Sequence, residues 1–171
     1  MELRDGNLMI SESREEELET INKIYEEESD FFIKIEGEPG PTPYTCFSGN
    51  FLPPNKTKED FKVISCYEDD DIIGWATIIR GYPQNDTYYI THFSILEQVR
   101  YNGYGRRFIK LLCDYFKENG FHKARLLVSL KNWDGLRFWY NCGFDKITYV
   151  QDSVSYSEHT FASMELEKTL G

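Results

Sequence analysis

The amino-acid sequence predicts a mixed α/β (α+β) domain, a mainly antiparallel twisted sheet with one parallel strand pair, flanked by helices. Three observations carry that prediction. Apolar runs at 61–68, 72–80 and 88–95 are separated only by turn residues, Asp69, Asp70 and Asp71 and then segment 81–86, as in an antiparallel meander. A long helical pattern separates the third run from a buried strand at 124–130, and a strand, helix, strand succession makes those two strands parallel neighbours. Finally, 171 residues with 40% hydrophobic and 16% aromatic composition suit a single globular domain with an aromatic-rich core and exclude a disordered chain.

Element by element, Leu8, Met9 and Ile10 open the chain as a strand. Ser13 and Glu16 form a capping-box pattern that starts a helix, and Leu18, Ile21 and Tyr25 give it one apolar face as far as about Ser29. Gly37, Pro39, Gly40, Pro41, Pro43, Pro53 and Pro54 then punctuate a long surface loop. After the three-stranded meander, Phe108, Leu111, Leu112, Tyr115 and Phe116 follow the spacing of a helix with one buried face, closed by Gly120. A strand at 124–130, a shorter helix at 133–142 ending at Gly143, and strands at 146–151 and 161–166 complete the chain. Residues 1–171 are expected to form one domain, divided into 1–60, 61–145 and 146–171.

No run approaches the roughly 18 consecutive apolar residues of a membrane span, and the acidic start lacks a basic n-region and an apolar h-region. A soluble, cytoplasmic chain without membrane association is expected. Cys46, Cys66, Cys113 and Cys142 are widely spaced and only three histidines accompany them, so neither a structural zinc site nor a disulfide framework is indicated. The net charge of −10 argues against nucleic-acid binding. Its distribution is bipolar: residues 1–40 hold 13 acidic against 4 basic side chains, while residues 98–146 hold 10 basic against 4 acidic. Solvated helix faces account for such runs, and so do an anion-receiving basic region and a cation-attracting acidic one.

The informative segment is Arg100, Tyr101, Asn102, Gly103, Tyr104, Gly105 and Arg106, between a strand and the start of the long helix. Its glycines permit a tight backbone path, and unpaired amides at a helix start, with the positive end of the helix dipole, hold a phosphate or pyrophosphate. A Walker loop needs Gly-Lys followed by Ser or Thr, which is absent. A dinucleotide fingerprint needs glycine where Phe108 stands and an acidic residue on the following strand, and strand 124–130 has none.

Arg-x-x-Gly-x-Gly after a strand, a long amphipathic helix, a buried strand, then Asn132 and a helix ending in Gly143-Phe144 form a third pattern. It resembles the GNAT superfamily of acyl-CoA-dependent N-acetyltransferases, specifically over residues 74–144, with the first 60 residues matching in layout only. The resemblance implies that Tyr101 to Arg106, with Arg100 beside them, cradle the pyrophosphate of acetyl-CoA as cosubstrate. It implies that Phe93, Ser94 and Ile95 lie on a strand that splays from its parallel neighbour, pairs with the pantetheine arm and offers an amide to the thioester carbonyl. Asn132 matches the family's asparagine beside the coenzyme, and a plain helix N-cap is its alternative.

The catalytic acid departs from the pattern. Where the family often places a tyrosine, four residues before Gly-Phe, this chain has Trp139, and Tyr140 is its neighbour. Tyr140 replaces that acid only if the helix turns by roughly 100°. Otherwise water or another side chain protonates the thiolate. His92, beside Phe93, is the candidate general base, since an ammonium acceptor must lose a proton before it attacks. Glu97 or an acidic residue of the first helix are alternatives, and Tyr82 and Tyr88 are candidate pocket walls. The expected reaction is acetyl transfer from acetyl-CoA to a primary amine by direct attack in a ternary complex, without metal. The acidic first 40 residues suggest a cationic acceptor, small molecule or peptide, and the chain is expected to be a monomer or homodimer. A coenzyme-binding sensor without turnover is the rival reading, motivated by Trp139.

Overall fold

The computed structural model describes residues 1–50, 52–151 and 157–171. Strands β1 (Glu2–Asp5) and β2 (Leu8–Glu12) lead into helices α1 (Leu18–Glu36) and α2 (Pro43–Ser48). Then come β3 (Phe61–Glu68), β4 (Asp71–Arg80), β5 (Thr87–Ile95), α3 (Tyr104–Glu118), β6 (Lys123–Ser129), α4 (Trp133–Asn141), β7 (Lys146–Gln151) and β8 (Ser163–Thr169). The strands form one sheet in the order β1-β2-β3-β4-β5-β6-β8-β7. Every neighbouring pair is antiparallel except β5 and β6, the parallel pair expected from the helix between them. No described helix is long and apolar enough to cross a membrane.

The sheet is buried on both faces. Against one face Phe108, Ile109, Leu112 and Phe116 of α3 pack with Ile64, Ala76, Ile78 and Ile90. Each of the large α3 side chains gains roughly 1.5–3 kcal/mol from burial. Ile21, Ile24 and Tyr25 of α1 and Cys46 of α2 cover Phe61, Val63, Trp75 and Ile79 on the other face. Near-continuous apolar runs in β3 and β4 follow from this double coverage.

Four local departures from the sequence expectation have physical causes. Strand β1 is charged and short, and it exists because it pairs with β2 from Glu2↔Ser11 to Asp5↔Leu8. Ser13 does not cap the first helix. Its amide donates to Val63 C=O (2.8 Å) and its hydroxyl meets Ser65 Oγ (2.7 Å), so strand pairing claims it. The carboxylate of Glu17 accepts from the Arg14 amide instead (3.2 Å), one residue later in register. Helix α1 runs on to Glu36, because Ile35 is buried and the Ile35 carbonyl accepts from Ser129 Oγ at 2.6 Å. Within the proline-rich loop, Thr42 caps and Pro43 begins α2.

The parallel ladder sets the geometry of the site. It runs from Thr87↔Lys123 to Ile90↔Leu126 and stops, although β5 continues to Ile95 and β6 to Ser129. On its other edge β5 stays paired with β4 as far as Gly74↔Ile95. The register with β4 shifts between Thr77 and Ile78, leaving Thr91 as an extra residue opposite them. A bulge bends its strand, and this one stands where β5 parts from β6.

Candidate active site

Backbone bonding into α3 begins with Arg107 N–H to Gly103 C=O at 3.1 Å. Among the described residues, the amides of 101–106 find no acceptor in the chain. Tyr101 (φ 67°) and Gly103 (φ 87°) adopt left-handed backbone, which gathers these amides into a concave turn at the positive end of the α3 dipole. At Gly105 the turn passes close to α4: a Cβ there would lie 3.2 Å from the Phe138 ring. Such a nest of amides can hold a pyrophosphate.

The side chains of this loop divide their tasks. Tyr101 is 96% exposed. Asn102 and Arg106 are also exposed, and Arg106 has no carboxylate partner among the described residues, so it is free to meet an anion. Tyr104 instead turns its hydroxyl to Glu68 and to Asn7. Arg107 is taken by Asp5, and Arg100 by Glu28 (2.9 Å) and by the Ile95 carbonyl (2.8 Å).

Beside the loop, residues 91–95 of β5 carry a backbone edge with no strand on the β6 side. An extended amide-bearing chain can pair with such an edge. Phe93 anchors this stretch, its ring stacking on Phe138 (5.4 Å) and meeting Phe108 and Trp139 edge-on (both 5.3 Å). Ser94 and Ile95 are buried.

Helix α4 keeps a regular register. Asn132 Oδ1 accepts from the Gly135 amide (2.8 Å), the N-cap bond. Trp139 is 7% exposed and packs on Phe93, Phe138 and Phe144, whereas Tyr140 is 68% exposed on the other side of the helix. The rotation needed to bring Tyr140 inward does not occur, because the larger indole already fills the core position.

His92 does not titrate near neutrality as expected. Its ring lies against the Trp75 indole (4.1 Å) and near Phe32 (5.4 Å), Nε2 is shielded without a partner, and burial lowers its pKa to about 3. It is a neutral imidazole. Tyr88 belongs to the core: fully buried, it stacks on Phe116 and meets Cys113 Sγ at 3.2 Å. Tyr82 packs edge-on against Tyr89, and Glu97 is exposed. Surface clefts at the β1–β2 end, lined by Met1, Glu12, Lys62 and Arg80 or by Met9, Ser11 and Tyr67, touch neither the loop nor residues 91–95.

The sequence reading did not single out Glu28 and Trp75. Glu28 is buried on α1 beside Ser94, and Trp75 is fully buried opposite Ser94 in the β4–β5 register. A signal for Glu28 was present. It is the carboxylate in the Glu26-Glu27-Glu28 run that falls on the stripe Ile21, Tyr25, Phe32 and Ile35, at helical spacing.

Comparison with known proteins places these features. The sequence description of the acetyltransferase (GNAT) family matches residues 21–144. A putative acetyltransferase of the GNAT family from Desulfovibrio desulfuricans superposes with a TM-score of 0.74 at 14% identity, over 96% of this chain and 99% of that one. The ribosomal-protein-S18-alanine N-acetyltransferase of Escherichia coli gives 0.72 at 13% identity over 95% and 94%. A Bacillus subtilis acetyltransferase in complex with CoA gives 0.61 at 13% over 95% and 97%. No curated protein matches by sequence. At these identities the structural likeness is one of fold.

Proposed function

The chain belongs to the GNAT family of acetyltransferases, and from that premise we propose that it transfers an acetyl group from acetyl-CoA to a primary amine by direct attack within a ternary complex. The observation that carries the reading is the nest of unpaired amides at 101–106, set beside the free backbone edge at 91–95. The amides and Arg106 would hold the pyrophosphate and the strand edge the pantetheine arm. Acetyl-CoA supplies a thioester carbonyl open to attack by an amine.

The residues of the chain bind, orient and remove protons. Phe93 fixes the strand edge, and an amide of that edge is positioned to donate to a carbonyl oxygen. In net terms R–NH3+ and acetyl-CoA give the acetamide, CoA-SH and one proton. Tyr140, on the exposed side of α4, is not needed as the acid, since a thiolate is an adequate leaving group and water can protonate it. The 13 acidic side chains of residues 1–40 favour a cationic acceptor.

Thermal unfolding with acetyl-CoA, CoA, NADH or ATP tests the reading. At about 100 times its dissociation constant a ligand stabilises the fold by about 2.7 kcal/mol. A shift with CoA compounds alone, followed by thiol release with a member of an amine panel, is expected. Absence of any CoA shift in folded protein would sink it, and a CoA shift with no thiol release from any amine would favour a sensor instead.

A further inference from the structure

Four buried side-chain polar atoms gather at one place: Trp75 Nε1 and His92 Nε2 have no hydrogen-bond partner, and Glu28 Oε2 and Ser94 Oγ have none beyond the contact between these two side chains. Buried polar atoms are normally satisfied, and several unsatisfied together mark a place where a partner is missing. Their proximity follows from the fold. His92 and Ser94 stand two residues apart on one face of β5, and Trp75 is the β4 register partner of Ser94. The His92 ring lies 4.1 Å from the Trp75 indole. Over them runs α1, which sets Glu28 beside Ser94 and, one turn on, Phe32 5.4 Å from His92.

We propose that these four atoms form the acceptor subsite of the acetyl transfer proposed above, on which this inference rests, and that Glu28 receives a primary ammonium there and takes its proton. The chemistry of the donor set specifies the ligand. A carboxylate oxygen, a hydroxyl and a neutral imidazole nitrogen can each accept a hydrogen bond, matching the three N–H groups of an ammonium, while the aromatic faces of Trp75 and Phe32 favour a cation. The Trp75 indole N–H is a donor, which suits an acceptor atom carried elsewhere on the same substrate. Glu28 keeps one oxygen on Arg100 (2.9 Å), and its other oxygen has no partner beyond the neighbouring Ser94 hydroxyl.

Position supports the assignment independently. The side chains of His92 and Ser94 project from the residues whose backbone edge is left open by the splay, so the amine and the thioester would meet across one stretch of strand. Burial raises the Glu28 carboxyl above the usual range, outweighing the Ser94 hydroxyl and the Arg100 guanidinium that lower it, with Glu27 adding a smaller push upward, and this makes it a stronger base than a surface glutamate. The proton transfer is R–NH3+ plus Glu28–COO− giving R–NH2 plus Glu28–COOH. The N–H bond breaks with its electron pair left on nitrogen as the attacking lone pair, and the carboxyl later returns the proton to solvent.

The test needs no turnover. The chain has three tryptophans, so its indole N–H resonances are few, and Trp75→Phe assigns the one of interest. Titrating n-butylammonium chloride into the 15N-labelled chain should shift the Trp75 indole resonance saturably, and n-butanol should not. In Glu28→Gln the ammonium response should be about tenfold weaker or more, with the other indole peaks and the CoA-induced melting shift retained. If Glu28→Gln does not fold, Ser94→Ala should show the same weakening. An equal response to butanol, an ammonium response unchanged in the variants, or no response at all would overturn the subsite. Loss of the CoA shift in the wild-type chain would overturn the acetyltransferase reading instead, whatever the ammonium titration shows.

Discussion

Arg100 joins the two halves of the site to Glu28. From the root of the amide loop its guanidinium reaches 2.9 Å from the Glu28 carboxylate on α1, while Nε of the same side chain donates to the Ile95 carbonyl at the end of β5. One residue thus ties the loop, the splayed strand and the helix over the buried cluster. The family-like motif begins at this arginine, yet its charge is spent inside the protein.

Removing that tie should be costly. In Arg100→Ala the buried Glu28 keeps its charge without a counterion, and breaking a buried pair is strongly destabilising. With Glu28 7% and Arg100 37% exposed, solvent screens part of the effect, and we expect a loss of about 2 kcal/mol in urea unfolding at pH 7.5. The deficit should shrink toward pH 5, because an unpaired Glu28 protonates readily. A deficit independent of pH would show that packing, not charge, is what Arg100 provides.

His92 sets a separate pH dependence. Its folded-state pKa is depressed from 6.5 to about 3, so the unfolded chain binds the proton more readily between those values. Stability from this group is full above pH 6.5 and is lost progressively as pH falls toward 3. The total is on the order of 3 kcal/mol, discounted because His92 as a residue is only partly buried. Glu17 also loses stability in acid. Burial works against its charge, but hydrogen bonds from Tyr67 (2.5 Å), Ser65 (2.8 Å) and Arg14 outweigh it and lower its pKa below 4.5. Buried Glu28 and Glu36, whose carboxyls burial raises above 4.5, act with the opposite sign, so the His92 contribution is read as a difference between two chains. Chemical unfolding across pH 4–8 should show stability rising more steeply with pH between 5 and 6.5 in the wild type than in His92→Gln, and equal slopes would remove His92 as the cause.

Much of the architecture was legible because its cues are local. The meander, the parallel crossover, the amphipathic α3 and the loop at 100–106 each follow from spacing within a few dozen residues. What was not legible depends on partners far away in the chain. The strand β1 needs β2, Ser13 is claimed by Val63 and Ser65, and α1 is extended by a hydrogen bond from Ser129, 94 residues from Ile35. His92 looked like a titrating base because sequence carries no information on desolvation, and Glu28 stayed hidden within a run of glutamates whose other members face water.

Gly74 is required by the close approach of β4 to the end of β5. A Cβ at this position would stand 2.4 Å from the Ser94 carbonyl oxygen and 3.2 Å from Ile95 Cα, and backbone atoms cannot swing aside as a side chain can. Gly74→Ala should push the open edge of β5 outward at about 1–3 kcal/mol of stability. Because that edge is where the pantetheine arm would pair, the CoA-induced melting shift should fall together with the melting temperature. A variant with wild-type stability and an unchanged CoA shift would disconnect this strand end from the coenzyme.

The neighbours Trp139 and Tyr140 should behave oppositely. Trp139 fills the space between Phe93, Phe138 and Phe144, so Trp139→Ala opens a large cavity beside β5 and should lower stability by about 3–5 kcal/mol. Tyr140 is exposed, so Tyr140→Phe should leave the melting temperature unchanged and amine-dependent thiol release within about twofold of wild type, since losing a general acid costs roughly 100-fold or more. A collapse of thiol release in Tyr140→Phe, with CoA binding and stability intact, would mean that α4 turns on substrate binding and delivers the hydroxyl. The same experiment on Trp139→Tyr separates the two accounts. If the hydroxyl is not used, placing it among three phenylalanine rings should only destabilise, with no gain in turnover.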